Sequence, residues 1–123
     1  MAIQPGTYNF TVQRRSDHVI PLLFKDGNNN AIDLTDFTVA AQVWEETRTT
    51  KFADFTTTYT DRSGGSVSIG LTDVQTATFT PNILKYDVLL VNPLGEKEYY
   101  LEGTIFVSEG YTATWVQALK IQL

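Results

Sequence analysis

KDGNNNAIDLTDFTVAAQVWEE, residues 25–46, runs from a cluster of turn formers through a second turn into an alternating apolar stretch. In the last part, strand period 2 puts Phe37, Val39, Ala41 and Val43 on one face and polar or small residues on the other. That is the pattern of a half-buried strand. The cluster before it poses a choice of chemistry. Asp26, Asn28 and Asn30 imitate the first three oxygen ligands of a helical calcium loop. The imitation then fails, because Ala31 stands where such a loop needs Gly and Phe37 where it needs a bidentate Glu. The stretch therefore reads as a β-protein corner, with Gly27 and the Asn residues supplying positive φ and Asp33 or Thr35 capping a second turn.

The same grammar extends along the chain. Further strands are predicted over 7–12, 18–24, 51–60, 66–71, 85–91 and 97–107, separated by Gly, Pro, Asn and Asp clusters. Val67, Ile69 and Leu71 share a second core face. Pro21 lacks the N–H that a ladder needs, which places its strand at a sheet edge or puts a bulge there. VNPLGEKEYY, residues 91–100, reads as a hairpin joining the last two main strands. Only LTDVQTATF, residues 71–79, breaks the rhythm, and Thr72 or Asp73 is positioned to cap a single helical turn. Tyr86 has two readings: plain core packing, or a corner in which its hydroxyl ties back to upstream backbone.

The chain of 123 residues suits one domain with a core of its own. With 42% hydrophobic and 19% charged residues it has a globular composition, not a disordered one. The formal charge of −5 and the scatter of nine basic residues argue against nucleic-acid binding, which needs clustered Lys and Arg. Arg14 and Arg15 are the only adjacent basic pair. The absence of cysteine removes disulfides, thiolate metal sites and a cysteine nucleophile, and fits synthesis in a reducing cytoplasm. MAIQPGTYNF does not have the form of a signal peptide, and the longest apolar runs are too short to span a bilayer.

No catalytic constellation emerges, and no cofactor or metal is expected. Ser16, Asp17 and His18 are contiguous, whereas a triad needs side chains converging from separate segments. His18, the only histidine, reads as a residue at the start of a strand. Fourteen acidic residues leave open a carboxylate pair for glycan cleavage, which requires two acids facing each other across a cleft. Trp44, Tyr59, Tyr99, Tyr100, Phe106 and Trp115 are open to two readings, a sugar-stacking platform or core and interface anchors.

Residues 1–112 are expected to form the domain and 113–123 a short C-terminal arm or extra strand. In the arm, Leu119, Ile121 and Leu123 alternate with polar residues, the form of a strand that docks by addition to its own sheet or another subunit.

Three segments in order carry a family resemblance: DGNNNAIDLT (26–35) before an alternating strand, GGSVSIGLTDVQT (64–76) before a helical turn, and YDVLLVNPLGEKEYYLEGTIFV (86–107). Over residues 7–112 the sequence resembles the immunoglobulin-like domain of tailed-bacteriophage virion proteins and is similar to the N-terminal domain of baseplate upper proteins. The resemblance implies assembly, not catalysis. It leads us to expect an all-β, immunoglobulin-like antiparallel sandwich of about seven to nine strands. The chain would be a structural protein of the phage tail or baseplate, binding other virion proteins and copies of itself in a symmetric oligomer, away from nucleic acid and membrane. The expected assembly positions are Arg14 and Arg15 as polar contacts, with Trp115, Leu119, Ile121 and Leu123 on the arm. Alternatives are a capsid or neck decoration protein, and a carbohydrate-binding or host-adhesion module with Trp44 or Trp115 exposed beside polar groups.

Overall fold

Strands in this chain form where the sequence alternates, and they close into two facing sheets. The computed structural model describes residues 6–110. In chain order the elements are β1 (Gly6–Thr7), β2 (Phe10–Gln13), β3 (His18–Leu23), β4 (Thr38–Trp44), β5 (Lys51–Asp54), β6 (Thr56–Asp61), β7 (Ser66–Leu71), α1 (Asp73–Ala77), β8 (Ile83–Val91) and β9 (Lys97–Ser108). The larger sheet runs β1-β9-β8-β4-β5, with β2 continuing β1 along β9; the smaller runs β3-β7-β6. The fold is an all-β, immunoglobulin-like sandwich.

The alternating faces meet between the sheets. Val39, Ala41 and Val43 from β4 and Val67, Ile69 and Leu71 from β7 are all buried, and Phe37 packs on their margin. Phe24, Leu34, Phe79, Leu84, Val88 and Ile105 complete the interior. Pro21 lies on an edge strand, as expected. The Phe24 N–H donates to Gly65 O at 2.9 Å, which fixes the ladder parity and turns the Pro21 nitrogen away from β7. Its missing N–H therefore costs no hydrogen bond.

The turns follow their residues. In the 26–30 turn, Asp26 Oδ1 accepts from the N–H groups of Asn28 and Asn30 at 2.9 and 3.0 Å. Positive φ falls on Asn29 (66°), whereas Gly27 is not among the positive-φ residues. Asp33, not Thr35, caps the next turn through its carboxylate. The β8–β9 hairpin places Pro93 and Leu94 at the centre of a turn closed by Gly95 at φ 84°, with Asn92 and Glu96 bonded across it. Thr72 caps α1 in a capping box with Gln75.

Two expectations need correction. The stretch 51–60 is not one strand: β5 pairs with β4 in the larger sheet, the chain crosses at buried Phe55, and β6 joins the smaller sheet. The crossing satisfies the edge of β4 beyond the end of β5. The Phe55 N–H donates to Ala41 O at 2.9 Å, Thr57 Oγ1 donates to Val39 O, and the Val39 N–H donates to the Tyr59 hydroxyl. Second, the sandwich is not wholly antiparallel, because β1 and β2 both run parallel to β9. Of the two readings of Tyr86, the tie to upstream backbone holds: its hydroxyl donates to Tyr8 O at 2.6 Å, between β1 and β2. Burial pushes that hydroxyl's pKa well above the usual tyrosine value, so it stays a donor. Gly103 makes the approach possible, since a Cβ there would collide with the Tyr8 carbonyl.

Candidate assembly surface

The sequence leaves an arginine pair just after β2, and the fold turns both side chains inward. Arg14 Nε donates to Phe79 O at 2.6 Å, Nη2 to Thr80 O at 2.9 Å and Nη1 to Glu109 Oε1 at 2.9 Å. Arg15 pairs with the other Glu109 oxygen and donates to Gly110 O. Their side chains are only 16% and 17% exposed. The two guanidinium groups hold the Glu109 carboxyl below the usual carboxylate range. Arg14 and Arg15 thus clamp the last described turn of chain, the root from which residues 111–123 continue. Trp115, Leu119, Ile121 and Leu123 lie outside the described residues, as does the 113–123 arm they belong to. The clamp was legible as a basic pair; its carbonyl acceptors, some 65 residues away, were not.

The same end of the sandwich is tied together by hydrogen bonds. Ser16 N–H donates to Thr76 Oγ1, and that buried hydroxyl donates back to Ser16 O at 2.8 Å. Asp17 Oδ1 accepts from the N–H of Asp73 at 2.8 Å, and Gln75 Nε2 donates to Asp54 O at the crossing into β6. His18 stacks on Phe10 with ring centroids 4.9 Å apart, and burial lowers its pKa. Ser16, Asp17 and His18 therefore serve three separate structural contacts.

The outer face of the smaller sheet was missed by sequence reasoning that looked only for core faces. Val19, Pro21 and Leu23 on β3 stand beside Gly70, Ser68 and Ser66 on β7, and Thr56 and Thr58 on β6 flank the other side. Val19 is 65% exposed and Leu23 49%. A shallow groove of about 290 Å³ opens there, lined by Val19, Thr56, Thr58, Ser68 and Gly70 and reaching Asp17 at the clamped end. The signal was present in SVSIG, whose outward positions are all small.

On the outer face of the larger sheet, Trp44, Lys85, Asp87 and Tyr99 line a second groove of about 230 Å³. The Trp44 indole N–H is bonded to Gln42 at 2.9 Å, and the Arg48 guanidinium lies 4.7 Å over the ring. Asp87 and Glu102 are cross-strand partners on this face, side by side and not opposed across a cleft. Burial first, and Glu102 second, push the Asp87 carboxyl above its ordinary pKa, against a smaller pull from Arg48. Tyr59 and Tyr100 are committed elsewhere: Arg62 stacks on Tyr59 at 3.9 Å, and the Tyr100 hydroxyl accepts from the Lys25 N–H while its ring stacks on Phe24. Phe106 is 45% exposed, on the outer face beside Ile83. Among the described residues no three His, Cys, Asp or Glu side chains group to hold a metal ion, and no helix is long and apolar enough to cross a membrane.

No protein-family model and no curated protein matches this sequence. Among solved structures the chain is similar to the crystal structure of the Lin-41 filamin domain, at 16% identity and a TM-score of 0.47, covering 81% of this chain and 84% of that one.

Proposed function

We propose that this protein is a structural component of a tailed-phage virion, in the tail or baseplate, working through repeated contacts with its own copies and with other virion proteins. The observation that supports it most is the outer face of the smaller sheet. On a chain of net charge −5, its three strands present Val19, Pro21, Leu23, Gly70, Ser68, Ser66, Thr56 and Thr58, with Asp61 opposite Ser66 at one end and Asp17 at the other. Along β3, Val19, Pro21 and Leu23 form an exposed apolar strip, and contiguous exposed apolar surface marks protein contacts. The order of sequence segments resembling phage virion domains supplies the virion context. Symmetric repetition would then multiply a modest affinity per contact.

The test is the solution mass of the full-length protein beside a chain ending at Thr112, by light scattering over a concentration series. A discrete oligomer from the full chain and a folded monomer from the shorter one are expected. Monomers from both at high concentration would overturn self-assembly through the arm. A sugar-binding reading has one feature in its favour, Tyr99, 51% exposed and lining the same groove as the Asp87 carboxylate. Against it, Arg48 already covers Trp44.

A further inference from the structure

The groove on the smaller sheet has the cross-section of a channel. Val67, Ile69 and Leu71 face the core, so β7 lays Ser66, Ser68 and Gly70 along the outside as a floor of small residues. The register aligns taller neighbours on both sides in each row: Val19, Gly70 and Thr56 in one, Pro21, Ser68 and Thr58 in the next, and Leu23, Ser66 and Asp61 in the third. Along a strand, residues on one face repeat about every 6.6–7 Å. The floor therefore offers a row of shallow seats at that spacing between an apolar rim and a rim of Thr56, Thr58 and Asp61.

The chain contains a segment that matches this spacing. ALKIQL, residues 118–123, when extended, puts Leu119, Ile121 and Leu123 on one side at the same repeat and Lys120 and Gln122 on the other. Large apolar side chains over small floor residues give the interdigitation that buries most area per contact. Its root is also fixed. Arg14 and Arg15 hold Glu109 and Gly110 on the larger sheet, at the end where Asp17 opens the channel on the smaller one. A root on one sheet and a receptor on the outer face of the other make a head-to-tail contact, which repeats from copy to copy.

We infer that the channel over Ser66, Ser68 and Gly70 receives residues 118–123 of a neighbouring copy of this chain. This rests on the proposed assembly function and names its receptor surface. The chain has no cysteine, so single thiols report the contact cleanly. Full-length Ser68→Cys is mixed with full-length, size-tagged Ile121→Cys under mild oxidation. The mixed disulfide dimer should form roughly tenfold faster than with Thr47→Cys, an exposed turn position, replacing Ser68→Cys. A rate equal to that control overturns the inference. So does a double variant, Ser68→Cys with Ile121→Cys, that closes on itself while no mixed dimer forms, because the arm then fills its own channel.

A second variant separates this inference from the assembly reading. A Cβ at Gly70 would make only ordinary contacts at 3.6 Å, so Gly70→Arg fills the channel without disturbing the core. It should reduce the full-length oligomer to monomer, as removal of the arm does. An arm-dependent oligomer that survives Gly70→Arg leaves assembly standing and overturns the channel as its receptor. A full-length chain that is monomeric with or without the substitution overturns both.

Discussion

Gly103→Ala tests the long-range tie that holds the N-terminal strand. A Cβ at position 103 would collide with the Tyr8 carbonyl and press on Tyr86 Cε1 at 3.0 Å. Backbone is the obstacle, so Tyr8 has to withdraw from β9. Withdrawal breaks the hydrogen bond from the Tyr86 hydroxyl to Tyr8 O at 2.6 Å and that from Tyr8 N–H to Glu102 O at 3.0 Å. Each is worth about 1 kcal/mol net, and a part-buried hydroxyl left without an acceptor costs about 1 kcal/mol more. The expected loss is therefore about 3 kcal/mol. With a urea slope of about 2 kcal/mol/M, the midpoint should fall by roughly 1.5 M. Tyr86→Phe removes one of those bonds and no volume, so it should cost only about 1 kcal/mol. Because the double variant has no hydroxyl to strand and loses the Tyr86 bond only once, it should lose about 2 kcal/mol less than the two single losses added together. A loss below about 0.5 kcal/mol for Gly103→Ala, the level of an ordinary surface change, would refute the reasoning. It would mean that Tyr8 moves away without giving up its partners.

Two further expectations follow from side chains already placed. Arg14→Ala should destabilise by about 2–3 kcal/mol in a denaturant titration, because it strips the Phe79 and Thr80 carbonyls of a charged donor; Arg14→Lys should recover less than half, since an ammonium cannot reproduce the fork. Asp87→Asn should stabilise by about 0.5 kcal/mol near pH 7, because burial first and the like-charged Glu102 across the ladder second disfavour the Asp87 carboxylate. The native carboxyl has a raised folded pKa, so the folded chain takes up its proton first as pH falls. The advantage of the Asn variant should therefore shrink as pH falls through the raised value toward about pH 4, and an advantage independent of pH would refute the assignment.

How much was legible depends on how far apart the deciding residues are. The faces of β4 and β7 could be read directly, because period-2 alternation is set by neighbours two residues apart. The Asn92–Glu96 hairpin, the Thr72 cap and the Asp26 turn were equally local, each closing within a few residues. The switch at Phe55 carries no Gly or Pro to announce it. It arises because β4 extends beyond β5 and its open edge has to be satisfied by Thr57 and Tyr59. The parallel pairing of β1 and β2 with β9 was likewise invisible, since the partners are about 95 residues apart. For the candidate surface, the sequence marked Arg14 and Arg15 as a pair, but their inward direction depends on carbonyls that only the closed sandwich brings within reach.

An all-β chain, its core faces, its proline and its turns are written in the order of residues, because alternation, proline's missing N–H and turn capping act through the nearest residues. Which strands share a sheet, that the arginines hold Glu109 and Gly110, and that small residues on β7 lie between two taller rows follow from the closed sandwich. Those outcomes depend on groups far apart in the chain, whose pairing is fixed by burying one common core.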